Sequence, residues 1–368
     1  MNAIGSACTR KWLPLLLLMC GAVPAYAVDG VIEINQARAL AGSVTPQDTP
    51  GFPVVLSKQG SYRLTGNLTL PNADTDGIAI AAADVTLDLN GFSIIGPNSC
   101  SDCPATTCTA KGSGRGISAS GAGGANFKVS NGSILGAGSV GLNLLNAPGV
   151  QVEHVRVVGS GGDAIVVGSF ARVKDNSVWF NNGNGIKAVN DAQVGGNDVV
   201  CNHIAGITAS VNALVRDNVA NANQAGILVG DGATVVGNTA DANPLTGIGT
   251  GNGSTVSNNT VRDTVHSPSI GIQVGKTCTV AGNSVSTTGD AVVAKDGTSV
   301  TGNTINSSAT EGAFDAGAGF SVSSIGGTVA LGNNVLLGGT INGAVFGLSS
   351  NMCVHSISGV VGTTVSCP

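Results

Sequence analysis

The sequence predicts an all-β chain wound as a right-handed parallel β-helix, a solenoid of about ten to eleven coils with three parallel sheets and a cap at each end. Three observations carry that prediction. Strand-like starts recur at intervals of 20 to 24 residues, an asparagine follows each start at a steady distance, and a valine stands three residues before each asparagine.

The starts are Gly141-Leu142, Ala164-Ile165, Gly185-Ile186, Gly206-Ile207, Gly226-Ile227, Gly247-Ile248, Gly271-Ile272 and Ala291-Val292. The asparagines are Asn176, Asn197, Asn218, Asn238, Asn259, Asn283 and Asn303. Three residues before them stand Val173, Val194, Val215, Val235, Val256, Val280 and Val300. Five before stand small residues, from Ala171 to Cys278 and Thr298, and two after stand Val178, Val199, Ala220, Ala240, Val261, Val285 and Ile305. A step of two keeps side chains on one strand face, but the step from the valine to the residue after the asparagine is odd. A turn containing the asparagine must therefore restore the inward direction. Asn tolerates left-handed backbone angles, and stacked Asn side chains can hydrogen-bond as a ladder, so turn chemistry accounts for the column without a ligand. Each coil then holds three short strands around an apolar interior, with coils ~4.8 Å apart.

Composition agrees. The chain has 368 residues, 56 of them Gly, and only 10% are charged. Disorder needs more charge and fewer Val and Ile. Collagen needs Gly at every third position. The hexapeptide left-handed solenoid has too short a period, and Asp does not recur as in calcium-binding nonapeptide repeats.

The start of the chain reads as a secretory signal over residues 1–27. Arg10 and Lys11 precede the apolar run Leu13 to Val23, and Ala25-Tyr26-Ala27 is a cleavage site. Met19 stands before Cys20, where a lipoprotein signal wants a small residue. Of 16 basic residues the leader takes two and it takes none of the 21 acidic ones, so the mature chain carries −7 and no basic cluster for nucleic acid. No segment is long and apolar enough for a membrane span. The expected address is the periplasm or the exterior, with cleavage near Ala27. Residues 28–59 are expected to cap the solenoid, with a short helix from Asn35 to Leu40 and Asn35 as its N-cap. The solenoid runs over 60–339, interrupted near 98–115 and 307–318, and 340–368 form the C-terminal cap.

With the columns goes an opening, Gly60-Ser61-Tyr62-Arg63-Leu64 and Asp88-Leu89-Asn90-Gly91-Phe92. Together they resemble the right-handed parallel β-helix superfamily of pectate lyases, galacturonases and many exported bacterial proteins, over roughly residues 60 to 340. The resemblance is specific for fold and leaves function open. It implies that an enzyme of this kind would carry carboxylates on the outward face of the first sheet: calcium ligands beside a base in the lyases, an Asp cluster in the hydrolases. That face here runs from Ala79 and Ala81 to Val293 and Lys295, and its outward positions include no carboxylate. It offers Lys187 and Lys295, about five coils or ~24 Å apart, too far to share one site.

Other candidates are few. Asp163, Lys187 and His203 fall near one corner on neighbouring coils and are the weak catalytic candidates; solvated turn residues are the plainer reading. Arg172, Lys174 and Arg216 form a basic patch that Asp175 and Asp217 neutralise. Trp179 points outward and could stack on a sugar, without other aromatics to extend the platform. Export makes disulfides the default for the seven mature cysteines: Cys353 with Cys367, and a local bridge among Cys100, Cys103 and Cys108, whose pairing stays open. A zinc site in that loop lacks a fourth ligand, so no metal and no cofactor is expected. Cys201 and Cys278 are expected to be buried, reduced fillers of inward columns. Two function classes remain. One is a non-catalytic exported scaffold that binds a polysaccharide, a cell-surface component or a partner protein. The other is a polysaccharide lyase, hydrolase or epimerase.

Overall fold

Each coil is built from three short strands. Ile186–Ala188, Gln193–Gly195 and Asp198–Val200 make one coil, and Ala205–Ala209, Leu214–Arg216 and Val219–Asn221 make the next. Every strand pairs in parallel with its equivalent one coil on, as in Ile186 with Ile207, Val194 with Val215 and Val199 with Ala220. Repetition of this unit gives a parallel β-helix of about 11 turns with three sheets. The computed structural model describes residues 30–119, 126–262, 269–307, 319–321, 329–342, 345–347 and 352–358. The signal segment and residues 308–318 of the second interruption lie outside the described residues. From Val31 onward the chain is one unit.

The interior is the stacked columns. Val173, Val194, Val215, Val235, Val256, Val280 and Val300 are buried and in unbroken register. The isoleucines of the first sheet from Ile165 to Ile272 are equally buried. The glycine before each isoleucine from Ile186 to Ile272 has a steric cause. A Cβ on Gly226 would stand 2.4 Å from the Gly247 carbonyl oxygen of the next coil, and one on Gly247 would stand 2.4 Å from Val261 Cγ1.

The asparagine column does its work differently from the expectation. The left-handed residue is the one before it: Asp175, Asp217 and Asn258 have φ of 55 to 56°, and Gly196, Gly237, Gly282 and Gly302 fill the same place. The asparagine itself is buried and bonds from coil to coil. Asn197 Nδ2 donates to Asn218 Oδ1 at 2.9 Å and to the Val173 carbonyl at 3.0 Å. The backbone N–H of Asn197 donates to that same Asn218 Oδ1 at 3.0 Å. The pattern runs unbroken from Asn176 to Asn334. A polar group buried this deeply is tolerated because its donors and acceptor are all used.

A second ladder lies five residues further on, at the turn from the third sheet to the first. Asn181, Asn202, Asn223 and Asn243 are wholly buried. Asn181 Nδ2 donates to Asn202 Oδ1 at 2.9 Å and Asn202 Nδ2 to Asn223 Oδ1 at 3.0 Å. The residues before them, Phe180, Cys201, Ala222 and Ala242, are left-handed, with φ of 51 to 56°. This corrects the reading of Cys201 as an inward filler. A left-handed turn residue points away from the interior, and Cys201 is bonded to Cys103. Cys278 is a free buried thiol in the small-residue column.

The first interruption is thereby strapped along the stack. Cys100 pairs with Cys108 across the antiparallel strands Cys100–Ser101 and Thr107–Cys108. Asn98 Nδ2 donates to the Gly159 carbonyl, Asn182 Nδ2 to the Ala105 carbonyl, and Ala105 N–H to the Cys201 carbonyl. The loop thus touches three successive coils. At the N-terminal end, Asn35 caps the helix Gln36–Ala41 by accepting from Arg38 N–H. The stack itself begins before residue 60, since Ile32–Ile34 pairs with Gly60–Leu64 and Val54–Leu56 with Ile78–Ile80. At the other end, Cys367 and the side chain of Cys353 lie outside the described residues.

Two outcomes test this. Asn218→Ala removes the acceptor shared by the Asn197 N–H and Nδ2 and the donor to the Val194 carbonyl, so urea unfolding should show a loss of about 2 kcal/mol or more, at 1–3 kcal/mol per orphaned group. Thr234 is half-buried on the outward face, and Thr234→Ala should change stability by less than ~0.5 kcal/mol. The Cys103–Cys201 bridge closes a separation of 98 residues. Cys103→Ser with Cys201→Ser should cost about 2–4 kcal/mol, and peptide mapping without reductant should recover the cross-link.

Candidate functional site

The outward face of the first sheet splits into two halves. In the early coils it is covered: Ala79, Ser118 and Val166 are buried although they point outward. In the later coils it is open, and successive outward neighbours are Lys187, Thr208, Leu228, Gly249, Gln273 and Val293.

Acids reach this face from the turn before the strands, which alternation along the strands does not reveal. Asp76 Oδ2 accepts from Ser118 Oγ at 3.1 Å, and Asp76 Oδ1 from Arg115 N–H. Asp163 Oδ1 accepts from Asn184 N–H at 2.7 Å and Asn184 Nδ2 at 2.9 Å. Its other oxygen lies 3.9 Å from Lys187 Nζ. Asp290 stands at the same corner several coils on, and partial burial raises its pKa above the usual carboxylate value. Asp163 and Lys187 are therefore brought together. His203 is not with them: its Nδ1 accepts from Asn182 Nδ2 at 3.3 Å, and Asn182 Oδ1 accepts from Lys111 of the strapped loop. His203 belongs to the docking of that loop.

The open half holds a groove of about 400 Å³, lined by Leu228, Gly249, Gly251, Gln273, Gly275 and Lys295 among others. It spans four coils, roughly 14 Å at the strand spacing. Two of its glycines are required by close packing. A Cβ on Gly251 would stand 2.1 Å from Asp231 Oδ1 and 2.6 Å from Asp231 N, and one on Gly275 would stand 2.6 Å from Asn252 N. Gly249 is different. Its Cβ would meet nothing closer than Leu228 Cδ2 at 2.9 Å, the free end of a flexible side chain. Gly in a strand interior costs roughly 0.5–1 kcal/mol against Ala, and at Gly249 what it leaves is open floor. One rim is tied by side chains, with Asp231 Oδ1 accepting from Asn252 N–H and Asn252 Oδ1 from Lys276 N–H. No single coil carries a signature of this groove, which forms only where four coils lie side by side.

Of the basic patch, Lys174 and Arg216 are paired with acids, whereas exposed Arg172 has no carboxylate within 4.0 Å among the described residues. Lys174 lies 2.9 Å from Asp175, and Arg216 lies 2.9 Å from Asp217. The Arg156 guanidinium lies over the Trp179 ring, 5.3 Å from its centroid, and Trp179 Nε1 donates to Asp198 Oδ2. That ring face is covered rather than presented to a sugar.

Three stacked parallel sheets and buried asparagine ladders define the class: the chain is a right-handed parallel β-helix. More particularly, residues 171–351 match the family model described as periplasmic copper-binding protein (NosD). Among solved structures, the chain is similar to the A-module of mannuronan C-5 epimerase AlgE6 of Azotobacter vinelandii, with a TM-score of 0.50 and 17% identity over 84% of this chain and 92% of that one. The AlgE4 A-module of the same organism gives 0.46 and 14% over 84% and 91%. Tailspike protein 3 of bacteriophage CBA120 gives 0.42 and 12% over 82% and 57%. At such identity the likeness to AlgE6 shows the fold alone. No curated protein matches the sequence. No helix among the described residues is long and apolar enough to cross a membrane.

Copper, which the matched family's description implies, needs several imidazole or sulfur donors in one place. Among the described residues no three of His, Cys, Asp and Glu gather to hold a metal. His154 lies against Asp175 and His203 against Asn182. Cys100, Cys103, Cys108 and Cys201 are in disulfides, and Cys278 is alone. These side chains do not fit a copper centre.

The Asp163 corner separates by mutation. Asp163→Ala leaves the Asn184 amide groups without their acceptor and should cost about 1–3 kcal/mol in thermal or urea melts. Lys187→Ala removes only an exposed partner and should change stability by less than ~0.5 kcal/mol.

Proposed function

We propose that the protein is an exported, non-catalytic β-helix scaffold, periplasmic or secreted, that binds an extended glycan chain in the first-sheet groove. The observation that carries this is the open floor at Gly249, framed by Leu228, Gln273 and Lys295 with no carboxylate among the lining residues. A rigid, elongated groove about 14 Å long suits a short run of a linear polymer. Gln273, Asn252 and Thr250 supply neutral hydrogen-bonding groups for hydroxyls, and Leu228 supplies an apolar wall. Catalysis by paired carboxylates needs two acids close together on a rigid face, and this groove has none. The family description as periplasmic supports the location.

A second reading rests on Asp163 and Lys187, a carboxylate beside an ammonium group on the same face. It makes the protein a polysaccharide lyase or epimerase with its site at the corner. The two readings part in one experiment. The mature protein is mixed with neutral and acidic polysaccharides, and both binding and product release are followed. The scaffold reading expects binding without products. Gly249→Leu should weaken that binding by about tenfold or more, ~1.4 kcal/mol, while the melting curve stays in place. Release of products that Lys187→Ala abolishes would establish the enzyme instead.

A further inference from the structure

We propose that the groove selects an anionic chain, a glycan bearing carboxylates, and that Lys295 is the residue that selects. This rests on the groove reading above and adds the chemistry of the ligand. Lys295 is exposed and lines the groove. Its condition differs from that of four other lysines of the stack, each of which has a carboxylate partner. Lys174 lies 2.9 Å from Asp175, Lys187 lies 3.9 Å from Asp163, and Lys276 lies 3.9 Å from Asp296. Lys128 pairs with Glu153. Among the described residues no carboxylate stands within 4.0 Å of Lys295.

Two acids beside the groove are engaged by other groups. Asp296 takes Lys276, and Asp231 at the rim spends Oδ1 on Asn252 N–H. The lining residues contain no Asp or Glu. In a chain with a net charge of −5, an uncompensated ammonium at one end of a carboxylate-free groove is a local feature with a local reader. A ligand carboxylate placed over the glycine floor meets Lys295 directly, with Gln273 on the neighbouring coil to receive a hydroxyl or donate to an oxygen. A neutral chain makes the same polar contacts without the ion pair. The expected discrimination is that of one exposed pair, so it is modest and falls with salt.

The experiment measures calorimetric binding of a short 1,4-linked oligouronate, and of the same oligomer with its carboxyls reduced to alcohols, to the mature protein at low and raised salt. The wild type should prefer the oligouronate by about fivefold at low salt, the upper end for an exposed pair. Lys295→Met keeps the aliphatic stem and should erase the preference, so that the two oligomers bind alike. Lys295→Arg should keep it. Equal binding of the two oligomers by the wild type, or a preference that survives Lys295→Met, overturns this inference and leaves the groove reading standing if Gly249→Leu still removes binding. Binding of neither oligomer, or binding unaffected by Gly249→Leu, overturns the groove reading and this inference with it.

Discussion

Buried amides that bond from one coil to the next hold this molecule in register. Asn197 cannot satisfy its side chain within its own coil: its Nδ2 donates back to the Val173 carbonyl and across to Asn218. Asn218 repeats the arrangement with Val194 and Asn238. An unmet amide in an apolar interior costs on the order of 1–3 kcal/mol, so a slip of one residue anywhere would be penalised at two corners of every coil it touched. Where both ladders run, from Asn176 and from Asn181 to Asn243, they fix the length of the path around the coil as well as the direction of the stack.

That constraint explains how the outward faces are free to differ. With register held inside, outward positions carry little of the folding, and they range from Arg172 and Lys174 on one sheet to Leu228, Gly249 and Gln273 on another. The strapped loop adds a second hold along the axis. Through Asn98, Asn182 and the Cys103–Cys201 bridge it ties together coils that otherwise meet only their neighbours. The face left uncovered is the later part of the first sheet, where the groove lies.

Much of the fold was legible because a solenoid writes its interior in one repeating frame. Val173 to Val300 and the asparagines three residues on are each a column in the sequence and a column in space. The mistakes fall at the turns. Alternation predicts direction along a strand and fails where φ turns positive, so it assigns Cys201 to an inward column although Cys201, like Phe180 and Ala222 at the same place in their coils, is a left-handed turn residue. For the same reason alternation leaves the first-sheet face without acids: Asp163, legible only as a corner residue near Lys187, sits before the strand and reaches the face across a turn to meet Lys187 on the next coil. The second ladder did leave a signal, an asparagine five residues after each of Asn176, Asn197, Asn218 and Asn238.

By itself the sequence determined the coil, because every coil must present the same small set of side chains to the same interior and to the coils above and below it. Only the tertiary structure decided what lies outside that period. Cys103 meets Cys201 across 98 residues because an insertion without a repeat folds back along the stack. The groove exists because Leu228, Gly249, Gln273 and Lys295, each ordinary in its own coil, come to lie side by side when four coils stack. Neighbours along the solenoid axis are some twenty residues apart in the chain, and their shared surface is a property of the stack.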